Sequence, residues 1–359
     1  MKKFILGFLT IVFLASFSFA QNSSTTNQSG SNNKSTVTQT GSNTATVNQI
    51  ADLGSSNNTA TTTQDGIGNI ASQTQYQEKN ITAPQNVTIT QTGNSNSATQ
   101  LQGVSSTGYN DATITQLSNS NTGSQYQDGY NMTATISQSV GDNNGSQQFQ
   151  YGSHEIATAI QTGTHNTGYQ NQNGLNNSAS ITSNGSENFA SQDQTGGNWN
   201  SPPASLSGHT AIITQTGNYN SATQNQSGLQ NNKATVTQVN DHNTAIQTQA
   251  GSSNLSIVSQ TASGKGNSFT SLQSDGNSNV INFVQTDGVS AGYANIIQDG
   301  SNNTVMGLNA DVNASSLLGS SLNVNQTGSN NILHLSQTNG ASSTVIQNGT
   351  ANISSISQQ

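Results

Sequence analysis

From Asn22 to Gln358, small, aliphatic and carboxamide side chains recur at every second position, with Ser, Thr and other polar residues between them. The clearest stretch is 215–238, QTGNYNSATQNQSGLQNNKATVTQ. Asn220, Ala222, Gln224 and Gln226 form one alternating set. After the turn at Ser227-Gly228 the set restarts as Asn232, Ala234, Val236 and Gln238. A period of two puts each set on one face of a β-strand. One unit is therefore strand, Gly turn, strand, turn, in about 22 residues.

Written as Asn-x-small-x-Φ-x-Gln, the frame is complete in nineteen places, from Asn22–Gln28 through copies such as Asn69–Gln75 and Asn96–Gln102 to Asn352–Gln358. Glu155–Gln161, His209–Gln215 and Asn177–Ser183 are degenerate copies, and Asn131–Gln138 carries one extra residue. The total is 28 half-units. A disordered polar tract, which the composition alone would permit, does not keep register over such a length.

The fifth position of the frame separates two kinds of half-unit. From Gln73 and Ile89 through Gln224 and Val236 to Gln247 and Val258, glutamine and an aliphatic residue alternate without a miss. The true period is two strands. The expected fold is all-β: a two-sheet parallel β-solenoid of about 14 rungs, one sheet with aliphatic rows and one with Gln rows. At ~4.8 Å per stacked strand the rod is roughly 65 Å long. Because the first frame opens at Asn22 and the last closes at Gln358, uncapped ends are expected.

Stacking explains the residue types. Inward Asn and Gln lie on their own kind in neighbouring rungs, so each amide donates one way and accepts the other. The expected ladder residues include Asn69, Gln75, Asn96, Gln102, Asn220, Gln224, Gln226, Asn232 and Gln238, with Val236 in an aliphatic row. Ala and Ser at the third position let the sheets approach closely, and branched Val and Ile suit a pleated surface. Gly in Gln-x-Gly supplies the positive φ of a tight corner. Insertions fall at turns: Thr195–Gly208 with Trp199, Pro202 and Pro203, then Tyr76–Pro84 and Ala310–Gly319. No proline interrupts a strand frame. From Phe269 onward the inward residues grow, with Ile281, Phe283, Leu333, Leu335 and Ile356, so residues 269–359 are expected to form drier terminal rungs.

Composition changes the picture mainly at the start. Lys2-Lys3, an apolar run from Phe4 to Phe17 and the small residues of Ser18-Phe19-Ala20 read as a secretory signal peptide over residues 1–20. The apolar run is too short for a membrane span, which needs ~18 residues, and none is expected later. The remainder keeps four lysines and no arginine against fourteen Asp and Glu, which argues against nucleic acid or anionic lipid as partner. Cysteine is absent, so an exported chain must be held by something other than disulfides.

The motif Gln-x-Gly-x-x-Asn-x-Ala-x-x-x-Gln, as in Gln64-Asp-Gly66-Ile-Gly-Asn69-Ile-Ala71-Ser-Gln-Thr-Gln75, resembles the curlin repeat of curli fibre subunits. The resemblance covers essentially all of the chain after residue 20. It implies a subunit secreted by a Gram-negative bacterium, assembled into extracellular functional amyloid of the biofilm matrix. Partners implied are further copies of itself, other curlin-type subunits and outer-membrane secretion or nucleation machinery.

Catalysis finds no foothold in the sequence. His154, His165, His209, His242 and His334 are scattered, none at metal-ligand spacing. Asp-Gly pairs such as Asp65-Gly66, Asp128-Gly129 and Asp287-Gly288 are first of all turn formers. Calcium at stacked turns is the alternative, but the nonapeptide pattern of calcium-binding β-rolls is lacking. No metal or cofactor is expected.

Two outward rows remain. Thr36/Thr38, Thr61/Thr63, Thr88/Thr90, Thr113/Thr115 and Thr235/Thr237 repeat on the aliphatic sheet, an array similar to those of ice-binding solenoids, broken at Ile160, Ile212 and Ile257. On the Gln sheet, Leu101, Tyr126 and Phe149 occupy one outward position in three successive rungs and are expected to make a lateral contact between rods. The sequence thus leaves two functions open: a fibre subunit, or a monomeric surface-binding solenoid for ice or glycan.

Overall fold

The computed structural model describes residues 21–51, 57–77, 83–103, 109–196, 208–262, 266–286, 292–307, 314–317, 320–337 and 340–358. The expected signal peptide, and most of the expected insertion around Trp199, Pro202 and Pro203, lie outside the described residues, as does Asp287-Gly288.

Every strand pairing among the described residues is parallel, and each strand pairs with the strand one full unit away. Gln170, for example, faces Gln148 on one side and Gln192 on the other. The strands thus stack in two facing columns as a β-solenoid. By hydrogen bonding they make one 27-stranded sheet. Lys34–Ala51 and Thr59–Gln77 each turn a corner without a break and serve both columns, which joins the two expected sheets. No helix of the described residues is long and apolar enough to cross a membrane.

One column of glutamines numbers the rungs. Gln28, Gln49, Gln75, Gln102, Gln127, Gln150, Gln172, Gln194, Gln226, Gln249, Gln273, Gln298, Gln326 and Gln347 follow one another at the seventh frame position, one per rung, which gives fourteen rungs.

The alternation of burial follows the frame. In Ser221–Gly228, Ala222, Gln224 and Gln226 are buried while Ser221, Thr223 and Asn225 are not. Aliphatic and Gln rows face each other across the core from rung 3 to rung 10, as the alternation predicts. Outside that span the sheets are not chemically pure. Rung 2 has the reverse arrangement, with Val47 in the Gln sheet and Thr62 in the aliphatic one. From rung 11 both sheets turn apolar: Phe269, Ile281, Phe283, Ile296, Leu322, Leu333 and Leu335, with Val258 of rung 10, form the largest hydrophobic cluster, and Ile356 packs against it. Phe269 and Phe283 stack at 5.4 Å.

Corners need two positive-φ residues. One is the Gly of Gln-x-Gly, as at Gly152 (φ +135°) and Gly174 (φ +151°). A Cβ on Gly152 would lie 1.9 Å from the Gly174 carbonyl oxygen in the next rung. Gly152→Ala should therefore destabilise by more than the ~1 kcal/mol typical of a positive-φ glycine with open space around it. A denaturant midpoint equal to that of the natural chain would contradict the stacked corner. The second residue immediately precedes the frame Asn and is seldom Gly: Asn143, His165, Glu187, Tyr219 and His242 all have φ between +56° and +63°. Because its residue type varies, this position leaves no period in the sequence.

Candidate functional site

The expected ladder residues Asn69, Gln75, Asn96, Gln102, Asn220, Gln224, Gln226, Asn232, Val236 and Gln238 are all buried, none more than 1% exposed. Burying so many amides is tolerable only if each finds partners. The seventh-position column runs from Gln28 to Gln347 without interruption. Each Nε2 donates to the Oε1 of the following rung, at 2.7–3.2 Å from Gln49 onward. In the facing column, Gln39 to Gln161 and Gln215 to Gln285 do the same, with Ser183 breaking the row.

A third column at the fifth position runs from Gln73 to Gln247 in the same direction. Here the second N–H crosses the core to a backbone carbonyl of the opposite sheet, as from Gln100 to Thr88 O and from Gln224 to Ile212 O, both at 3.0 Å. This column has fitted ends. The Thr62 hydroxyl donates to Gln73 Oε1 at 2.8 Å, and Gln247 Nε2 donates to the Ser256 hydroxyl at 2.8 Å. Thr62 departs from the aliphatic row and Ser256 is an ordinary small residue at the third frame position, yet both terminate the ladder.

Asparagine works differently from the expectation of like-on-like stacking. Its Oδ1 accepts from the backbone N–H of the frame residue one rung on: Asn69 from Asn96 at 3.0 Å, Asn188 from Asn220 at 3.0 Å, Asn232 from Asn254 at 3.0 Å. Its Nδ2 reaches corner carbonyls, as from Asn220 to Asn240 O at 2.7 Å. Some Nδ2 groups also bond a neighbouring Asn, but the shared role is to clamp the corner. The shorter side chain does not reach the core, which is why Asn opens the frame and Gln closes it.

Two titratable residues stand in the Asn corner row. Glu155 and His209 lie one rung before and one rung after Asn177. Glu155 Oε1 accepts from Asn177 Nδ2 at 3.2 Å, while Oε2 has no partner. Burial pushes this carboxyl up to about 9, with the Asn177 side-chain and backbone donors pulling the other way. The His209 backbone N–H donates to Asn177 Oδ1 at 2.8 Å, and its Nδ1 accepts from Asn232 N–H at 3.3 Å. Nε2 points toward the Thr195 and Gly228 carbonyls without a well-formed hydrogen bond, and burial lowers the imidazole's pKa.

On the outer faces, both expected rows come into register. Thr36, Thr61, Thr88 and Thr113 form one column and Thr38, Thr63, Thr90 and Thr115 another. Ile160, Ile212 and Ile257 sit in the same columns farther along. Leu101, Tyr126 and Phe149 also stack in register, and the rings of Tyr126 and Phe149 lie 6.5 Å apart.

That row is part of a larger feature. Tyr151 packs on Tyr126 at 5.1 Å and Tyr169 on Phe149 at 5.8 Å, with Phe189 one rung further. The rings therefore run diagonally across the Gln sheet over rungs 5 to 8. Burial, helped by Asp128 beside Tyr126 and Asp193 beside Tyr169, raises both phenols' pKa values, so both hydroxyls remain donors. No protein-family model matches the chain, and no curated protein matches it.

Proposed function

We propose that the chain is a secreted structural subunit that polymerises head to tail into extracellular, amyloid-like fibres of a biofilm matrix, with other copies of itself as principal partner. The observation that carries this reading is the unbroken glutamine column through all fourteen rungs. Such a ladder is a repeating interface: what joins rung 6 to rung 7 is chemically what would join one molecule to the next. The terminal rungs support it. Ser23–Ser29 pairs only with Lys34–Ala51 among the described strands, and all seven of its residues are exposed. Among the described strands, Ile353–Gln358 likewise pairs only with Ile332–Gln337. Strand edges of this kind are templates for further pairing.

The ladders also give assembly a direction. Every Gln column donates toward higher residue numbers, so a copy added in the same orientation continues donor to acceptor. A copy added upside down sets like against like. Growth is expected to show a lag that preformed seeds abolish, and little salt dependence, because few charges oppose contact.

The test is seeded assembly of the chain from Gln21, followed by thioflavin fluorescence and electron microscopy. A bulky charged domain fused after Gln359 should block elongation at that end, whereas the same domain inserted within 195–208 should not. Normal elongation of the first fusion refutes stacking through the terminal rungs. The registered Thr columns favour one other reading, a monomeric solenoid that adsorbs to ice. A chain that stays monomeric and dye-negative at high concentration while restraining ice growth would establish it instead.

A further inference from the structure

The aromatic diagonal is not required by the solenoid. At the same outward positions in other rungs stand Ser72, Thr74, Thr99, Ser191, Thr223 and Asn225. From Phe149 through Tyr169 to Phe189 the rings shift two residues per rung, with Tyr126 in register on Phe149 and Tyr151 two residues along the Phe149 strand. With ~4.8 Å between rungs and ~3.3 Å per residue, the strip spans roughly 20 Å. At its end a groove of about 330 Å³ opens between Gln147, Tyr169 and Phe189, floored by Gly145 and Gly168. It exists because Gly145, between Thr122 and Thr167 in its column, carries no side chain.

We infer that this strip and groove bind a neutral polysaccharide, with pyranose rings laid along the aromatic diagonal and one sugar seated in the groove. Three observations select that occupant. Half-exposed rings on a rigid sheet offer flat apolar faces, which match the C–H faces of a pyranose. Hydrogen-bonding groups border the strip: Asp128, Asn171, Ser191 and Asp193 on one side and Gln147 on the other, with Asn171 Nδ2 holding Asp193 Oδ1 at 3.1 Å. Sugar hydroxyls, as donors and acceptors, suit both carboxylates and amides.

Charge gives the third. The described lysines, Lys34 and Lys233, are on the other sheet, so among the described residues this face carries carboxylates and no lysine. Anionic polymers are disfavoured there. A second copy of the chain, the occupant expected for Leu101, Tyr126 and Phe149 from the sequence, would bring another flat sheet, which cannot enter the groove.

The inference is independent of head-to-tail polymerisation and can be tested on fibres or on freshly refolded chain. Native electrophoresis through gels containing hydroxyethyl cellulose, soluble β-1,3-glucan or polygalacturonate measures retention directly. The chain should be retarded by a neutral glucan and not by polygalacturonate. Tyr169→Ser with Phe189→Ser should weaken retention about tenfold, for the loss of two ring faces, whereas Ile246→Ser on the same face should not. Should the double variant fold poorly by circular dichroism, protection of tyrosine fluorescence from acrylamide quenching by the neutral glucan, measured on the natural chain, gives the same decision. Absence of retention by either neutral glucan, retention unchanged in the double variant, or rings buried only when rods bundle without glycan would each overturn the assignment, the last in favour of a second copy.

Discussion

Replacing Gln224 by leucine is expected to cost the solenoid about 3 kcal/mol or more, although leucine is the more apolar residue and the site is fully buried. Gln224 Oε1 accepts from Gln192 Nε2 at 2.9 Å, while its Nε2 donates to Gln247 Oε1 at 2.9 Å and to Ile212 O at 3.0 Å. Leucine removes all three bonds. Gln192 keeps its bond to Ser180 O, but Gln247 Oε1 loses its donor at a fully buried position. Each buried orphan costs roughly 1–3 kcal/mol, against ~1–2 kcal/mol gained from the added apolar surface. Gln170→Leu should behave alike. Outward Thr223→Leu or Asn171→Leu should change the guanidinium midpoint little. Equal losses at inward and outward positions would remove the register from which the ladders follow.

The ladders were legible because a ladder forces the same residue to recur at the same place. Gln226 and Gln249 must both be glutamine to bond each other, and that demand writes itself into the sequence as a period. The alternation of Gln224 with Val236 likewise carries the two-sheet arrangement. Positions that need only a backbone shape leave no such trace: Tyr219 and His242 share a corner conformation, and even stack at 5.0 Å, without resembling each other or Glu187. The aromatic strip was half legible. Inspection at the repeat length finds Leu101, Tyr126 and Phe149. Phe149, Tyr169 and Phe189 are twenty residues apart, short of the usual period by the two-residue diagonal step, so the same inspection passes over them. Thr62 stands out in the sequence only as an exception and Ser256 not at all, because a ladder end is recognisable only once the ladder is known.

Glu155→Gln is expected to stabilise the chain at alkaline pH and to be neutral in acid. The Asn corner row needs, at every rung, one acceptor for the next backbone N–H and one donor for a corner carbonyl. A protonated carboxyl supplies both, with Oε1 accepting and Oε2–H available to donate, whereas a carboxylate supplies only acceptors. No charged group offsets its burial; the opposing influences are the two Asn177 donors. The folded-state value is about 9 against an ordinary value of 4.5, so folding takes up a proton anywhere between. Because the folded pKa is raised, this group's penalty is absent below pH ~4.5 and grows by about 1.4 kcal/mol per pH unit up to ~9. At pH 7.5 the accumulated cost is on the order of 4 kcal/mol. Glutamine has the same length and the amide's donor and acceptor at every pH, so it should recover most of that. His209 opposes from the acid side. Neutral imidazole also combines one acceptor with one donor, and its lowered pKa means that stability falls as pH drops below the ordinary histidine value. Just below the ordinary histidine value the two effects oppose each other, and above it only the Glu155 penalty grows. Guanidinium midpoints of natural and Glu155→Gln chains, measured from pH 4 to 9, should coincide at the acid end and diverge steadily above it. Parallel curves across the whole range would mean that Glu155 is ionised in the folded solenoid and that another donor stands at its Oε2.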